Sequence, residues 1–274
     1  MESALVLGGG GVAGIAWMTG VLAGLADAGK DVTDADLIVG TSAGSTVAAQ
    51  LGSGLSLEEL FARQVDPALQ AQEIAVDVDL ETLAASLAGG LDGDPSPGEL
   101  RRRIGGVALG AVTVPEADRR AVIVSRLPAR DWSPRRIEIV AVDAETGEPV
   151  RFTRESGVDL VDAVAASCAV PGIWPPVTID GRRYVDGGVR SSDNVDYAAG
   201  ARRITVLSPM FDNAVGLPEE RSTREVVAAL RADGAEVTVI APDAASSAAI
   251  GANPLDPATR GPAAHAGRKQ GAAA

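Results

Sequence analysis

The chain has 274 residues, 46% of them hydrophobic and 22% charged, which is enough apolar material for a large packed core and excludes a disordered polymer. Its 24 Lys and Arg against 37 Asp and Glu leave a net charge of −13, which argues against nucleic-acid binding, since a phosphate backbone needs a concentrated basic surface. A single Cys (Cys168) excludes an intramolecular disulfide and a Cys-rich metal site, and a single His (His265) excludes a histidine-rich zinc site.

Residues 3–26 carry no charge, a run long enough for a membrane helix or signal peptide. Glu2 is acidic where a signal peptide wants positive charge, and seven glycines interrupt the run, four of them consecutive at Gly8–Gly11. Ala4–Leu7 therefore reads as a strand, the glycines as a loop, and Val12–Asp27 as a buried helix closed by Gly29. A cytoplasmic protein is expected.

Leu37–Val39 is a second strand, followed by Gly40-Thr41-Ser42-Ala43-Gly44 and a helix of small residues to about Leu51. Strand, helix, strand, helix is the start of a parallel α/β sheet. Residues 55–130 are expected to form a helical cap insertion, with helices at Leu57–Gln64, Leu80–Leu87 and Pro97–Ile104 broken by Asp92–Pro97; Ala121–Val124 fits a strand or a helix end. The sheet resumes at Arg136–Val142, and Thr146-Gly147 turns it into a hairpin with Pro149–Thr153. A helix over Asp159–Cys168 stops at Pro171, Asp180-Gly181 turns a second hairpin into Arg183–Val185, and Asp186-Gly187-Gly188 follows. Strands at Ile204–Leu207 and Glu236–Ile240 flank a helix at Thr223–Ala232, and residues 252–274 read as a loose tail. The whole, residues 1–274, is expected to be one α/β domain with a mainly parallel sheet between helices.

Gly40–Gly44 is a G-x-S-x-G between a strand and a helix. Such a turn exposes the serine hydroxyl, and the helix N-terminus behind it favours developing negative charge. The competing reading is a glycine-flanked cap with Ser42 as N-cap. Gly8–Gly14 offers successive backbone amides as an anion cradle. Gly9, Gly11 and Gly14 also have dinucleotide-fingerprint spacing, but that site needs an acid at the end of the second strand, and Asp31, Asp34 and Asp36 all precede it. Asp186-Gly187-Gly188 is first a turn signal. A serine nucleophile nevertheless needs a proton acceptor, and the choices are few: Ser45 stands where a Ser-x-x-Lys dyad would want Lys, and His265 lies in the tail. A carboxylate remains.

Taken together, these segments resemble the patatin-like phospholipases. Leu5–Gly14 looks like that family's oxyanion loop, Gly40–Gly44 like its nucleophile elbow, Ala166–Pro175 like the segment leading to its catalytic aspartate, and Asp186–Gly188 like the aspartate motif. The likeness covers roughly residues 4–51 and 136–207 in the right order. It departs from the family at Ala13, where the glycine loop usually carries Arg or Lys. The resemblance implies a serine acyl-ester hydrolase with a Ser42/Asp186 dyad. Its oxyanion hole would come from the amides of Gly9, Gly10, Gly11 and Ala43, and Gly40, Gly44, Gly187 and Gly188 would be the motif glycines. It implies a lipid or other acyl-ester substrate, transient contact with a membrane surface, and no metal or organic cofactor. The alternatives are a nucleotide-binding oxidoreductase and a non-catalytic scaffold of the same fold. Cys168 is expected to be a buried packing thiol, Trp17 and Trp174 core or pocket wall, and Arg101–Arg103 a solvated helix start rather than a head-group contact.

Overall fold

A computed structural model describes residues 1–76, 95–211 and 221–274. The helix expected over Leu80–Leu87 lies outside these residues, as does the first half of the Asp92–Pro97 break.

Among the described residues, eight strands form one sheet: β1 (Ser3–Leu7), β2 (Leu37–Thr41), β3 (Ile137–Asp143), β4 (Pro149–Phe152), β5 (Val177–Ile179), β6 (Arg182–Asp186), β7 (Arg203–Leu207) and β8 (Glu236–Ile240). The order is β5-β6-β3-β2-β1-β7-β8, with β4 on β3. Strands β3, β2, β1, β7 and β8 run parallel, β4 and β6 pair antiparallel with β3, and β5 pairs antiparallel with β6. The central strands β1 and β2 are nearly continuous apolar runs because helices cover both faces, whereas the edge strand β8 alternates. On one face, Leu5, Leu7, Ile38, Ile139 and Ala141 pack against α1 (Gly11–Asp27), α2 (Ala43–Leu51) and α6 (Leu160–Ser167). On the other, Ala4, Val6, Val39 and Val140 meet α7 (Thr223–Ala232) and the 195–198 turn, while Val142 and Val185 meet Leu100, Ile104 and Ala108 of α4 (Pro97–Gly110).

The cap region contributes α3 (Leu57–Val65), α4 and α5 (Glu116–Arg126). Ala121–Val124 is thus helical, and the buried side chains of this helix, Arg119, Val122, Ile123 and Arg126, recur at helical spacing. Ser56, Ser96 and Ser222 cap α3, α4 and α7 through their hydroxyls, which is why those helices begin where they do.

Residues 252–274 do not form the loose tail expected of them. Residues 244–250 form α8, and Arg260–Ala273 form α9, which lies along α1. Gly20 and Gly24 face the carbonyls of Ala264 and Arg268, and Gly267 and Gly271 face those of Trp17 and Val21. Four glycines let the two backbones touch. An Ala/Gly-rich composition that reads as slack chain is here what close helix packing requires. Covered by the sheet on one side and α9 on the other, α1 is apolar all round. Among the described residues, no helix is long and apolar enough to cross a membrane, and no group of His, Cys, Asp and Glu is placed to hold a metal.

Candidate active site

The site forms where two strands collide. On β3, Ile139 and Val140 pair with both β2 and β4, so those strands occupy opposite edges. Ala141 and Val142 pair with both β4 and β6, so β6 lies on the same edge as β2. Thr41, the last residue of β2, sits opposite Val140, and Asp186, the last of β6, sits opposite Ala141. The two strands approach each other end to end, and Ser42 and Asp186 stand at the meeting point.

Ser42 has φ 51° and ψ −116°. A non-glycine residue at positive φ stores about 1–3 kcal/mol that its surroundings must offset. The restraints are specific. The Ser42 N–H donates to Ser167 Oγ (2.9 Å), and Ser167 donates in turn to the Val140 carbonyl (2.6 Å). The Ser42 carbonyl accepts from Ser45 Oγ (2.6 Å) and Cys168 Sγ (3.2 Å). Both flanking glycines are required sterically: a Cβ on Gly40 would lie 2.7 Å from the Gly44 carbonyl, and one on Gly44 would overlap the Leu7 carbonyl. Ser42 makes no side-chain cap hydrogen bond to α2, which removes the N-cap reading of this motif.

The glycine loop lies alongside. Gly44 N–H donates to the Gly8 carbonyl (3.0 Å), and a Cβ on Gly14 would come within 3.5 Å of Ala43 Cβ, so the first turns of α1 and α2 are in contact. Two helix N-termini with their partial positive charge converge here. Among the described residues, the N–H groups of Gly10, Gly11 and Ala43 donate to no acceptor. Gly9 differs from the expectation: its N–H donates to the Ser192 carbonyl (2.8 Å) and is already committed.

Asp186 is buried. Its Oδ1 accepts from the Gly188 N–H (2.8 Å), while Oδ2 has no partner that meets hydrogen-bond geometry among the described residues. Burial pushes its pKa up from 3.8 to about 7, against the opposing effects of the Gly188 N–H, the nearby Ser42 hydroxyl and the Arg119 charge. Gly187 is obligatory because a Cβ there would meet the Val140 carbonyl.

Asn194, which sequence reasoning missed, holds this turn. It takes the left-handed conformation (φ 51°) and donates through Nδ2 to Thr41 Oγ1 (3.0 Å), the Ser191 carbonyl (2.8 Å) and the Gly187 carbonyl (3.3 Å), while Oδ1 accepts from Arg190 (2.7 Å). It therefore ties the end of β2 to the Asp186 turn. Asp193 was missed too: its Oδ2 accepts from Ser208 and Thr223 (2.8 Å each) beneath the glycine loop.

Cys168 is buried under the elbow, and burial pushes its thiol pKa up, which suits packing and not nucleophilic attack. Trp17 and Trp174 are both buried; the Arg119 guanidinium lies 3.8 Å over the Trp174 ring. Arg101 donates to the Gly147 carbonyl and Arg103 pairs with Glu99 on α4. His265 packs edge-on against Phe61 at 5.5 Å, on the exposed side of α9. Asp36 accepts from the Glu2 and Ser3 N–H groups before β2 begins, so no acid stands where a dinucleotide ribose would need one.

Comparison with known proteins adds the family. The sequence model described as Patatin-like phospholipase matches residues 5–199. Among solved structures the chain is similar to VipD from Legionella pneumophila, at 13% identity and a TM-score of 0.42, covering 75% of this chain and 50% of that one. It is also similar to the type III effector protein ExoU, at 17% identity and a TM-score of 0.38, covering 98% and 53%. The chain spans about half the length of each.

Proposed function

We propose that this chain, which belongs to the patatin-like phospholipase family, hydrolyses carboxylic esters of lipids or related acyl compounds with Ser42 as nucleophile and Asp186 as its base. Ser42 Oγ attacks the acyl carbonyl carbon, and its proton passes to Asp186 Oδ2. The carbonyl oxygen becomes an oxyanion, received by the free N–H groups of Gly10, Gly11 and Ala43 at two helix N-termini. Collapse expels the alcohol, which leaves with the proton from Asp186, and an acyl-Ser42 ester remains. Water then attacks that ester with Asp186 again as proton acceptor, the acid is released, and Ser42 recovers its proton.

The observation that carries this reading is the state of Asp186. An ordinary carboxylate is a weak base at neutral pH, whereas one raised to about 7 by burial is matched to the task. Its unsatisfied Oδ2 at the meeting point with the strained serine supports the same assignment.

Reaction with a fluorophosphonate probe tests it, because only an activated serine is labelled. Mass spectrometry should place the adduct on Ser42, and a screen of esters across acyl lengths and head groups should show turnover. An unlabelled, folded protein would sink the assignment and leave a scaffold of the same fold. Flavin absorbance or NAD(P) binding would favour the oxidoreductase alternative.

A further inference from the structure

The glycine loop is covered by a part of the chain that the family model does not reach. Residues 253–256 lie between α8 and α9, beyond the matched residues 5–199, and cross the start of α1. The Pro254 carbonyl accepts the Ala13 N–H (2.9 Å), so it caps the α1 N-terminus just behind the free N–H groups of Gly10 and Gly11. A Cβ on Gly11 would come within 2.6 Å of that carbonyl oxygen and 2.9 Å of Leu255 Cδ2. Leu255 therefore lies against a residue that supplies one of the oxyanion donors.

This neighbourhood is apolar. A Cβ on Gly10 would meet Pro209 at 2.6 Å, so the side chains closest to the two donor glycines are those of Pro209 and Leu255. Leu255 is half-buried and keeps part of its surface accessible. It is also near the nucleophile. A Cβ on Gly9 would lie 3.7 Å from Ser42 Cβ, and Gly11 follows two residues later, at most about 7.6 Å further at about 3.8 Å per Cα step.

The segment is held in place at both ends. The Leu255 N–H donates to Asn253 Oδ1 (3.1 Å), the Asp256 N–H donates to the Asn253 carbonyl (3.1 Å), and Asn253 Nδ2 donates to the Val76 carbonyl of the cap (3.2 Å). Pro254 and Pro257 restrict the backbone further. A side chain that is to discriminate between substrates needs such support.

We infer that Leu255 is a specificity-determining residue, the wall against which the substrate's acyl chain packs once its carbonyl oxygen occupies the glycine loop. The inference deepens the ester-hydrolase reading above and rests on it. An apolar side chain beside the oxyanion donors suits hydrocarbon next to the carbonyl and disfavours a polar group there.

The test measures kcat/KM of wild type, Leu255→Ala, Leu255→Asn and Leu255→Met on p-nitrophenyl acetate, p-nitrophenyl octanoate and octyl acetate, the last of which carries the same chain on the alcohol. Loss of one leucine contact should lower the octanoate-to-acetate ratio at least about tenfold in Leu255→Ala and Leu255→Asn. Leu255→Met, which conserves volume and apolar character, should hold the ratio within about threefold. The ratio of octyl acetate to p-nitrophenyl acetate should not change. In the wild type, an octyl fluorophosphonate with a terminal diazirine should label Ser42 and, on irradiation, cross-link within residues 253–256. That measurement stands even if the variants fail to fold. An octanoate-to-acetate ratio unchanged or raised in Leu255→Ala would overturn the inference, as would a loss that follows octyl acetate instead, or cross-links confined to other segments. A wild type that is never labelled defeats the hydrolase reading itself, whereas a labelled wild type with any of those outcomes defeats only the role of Leu255.

Discussion

Asp186 stands opposite Ala141 on β3, one residue beyond the Val140–Thr41 pair that ends β2, so Thr41 and Asp186 are consecutive along a single sheet edge and Ser42 follows Thr41 at that junction, although 144 positions separate Ser42 from Asp186 in sequence. Backbone pairing, and not side-chain reach, fixes their relation. Mutations at either residue should therefore leave the sheet intact.

Ser42→Ala and Asp186→Asn are each expected to reduce ester kcat/KM by at least about a thousandfold, because one removes the nucleophile and the other its proton acceptor. Members of one proton-transfer unit act together, so the double variant should be hardly worse than either single one. Circular dichroism should be unchanged in all three. Near wild-type turnover by Ser42→Ala would refute the assignment.

The parts of this site that could be read in the sequence are those where sterics leave no choice. Gly40, Gly44 and Gly187 each abut a backbone carbonyl, so only glycine fits, and the strand, turn and helix around Ser42 follow from local pattern. Ser167, Asn194 and Arg119 gave no such signal. Each is an ordinary polar residue whose role depends on a partner far away in the chain: Ser42 for Ser167, Thr41 for Asn194, Trp174 for Arg119. Gly9 misled because a glycine reports backbone freedom, not where its N–H points. α9 was invisible because small residues signal slack or close packing equally well, and only α1 decides between them.

That pairing of helices is directly testable. Gly24→Leu and Gly271→Leu each drive a side chain into the backbone of the facing helix, a cost above about 3 kcal/mol since neither backbone can give way. Thermal unfolding should show a large drop in Tm for both. A loose tail would make Gly271→Leu silent.

Glu73→Gln should destabilise the fold by about 3–5 kcal/mol, because it removes the carboxylate from among Arg119, Arg126 and Arg260. Burial would raise the Glu73 carboxyl, but the guanidinium groups, Arg126 foremost, more than reverse this and hold it below its ordinary value. The loss should be seen in urea titrations at pH 7 and shrink in acid, as the native carboxyl itself becomes protonated.

His265→Ala is expected to change kcat/KM by less than about threefold, within what a surface substitution can do. The ring packs on Phe61, a contact between α3 and α9, on the exposed side of α9. A loss above about a thousandfold, equivalent to about 4 kcal/mol of transition-state stabilisation, would mean a triad in place of the dyad.

Asp186 should set the pH dependence of both activity and stability, with opposite consequences. As a base it works only when ionised, so kcat/KM should fall about tenfold per pH unit below an acidic limb near its pKa of about 7. Stability runs the other way. The folded carboxyl holds its proton up to about pH 7, whereas the unfolded one releases it near 3.8, so the native state binds more protons between these values and loses stability as pH rises through them. The full cost above pH 7 is about 4 kcal/mol at about 1.4 kcal/mol per pKa unit. Asp186→Asn removes the charge, keeps an oxygen for the Gly188 N–H, and should therefore be more stable than the wild type at pH 8. At pH 4 the advantage should vanish, because the native carboxyl is then neutral too. Urea unfolding of both proteins at the two pH values measures this directly. An asparagine variant that is less stable at pH 8 would show that Asp186 is not held at the expense of the fold, and the poised base would lose its physical basis.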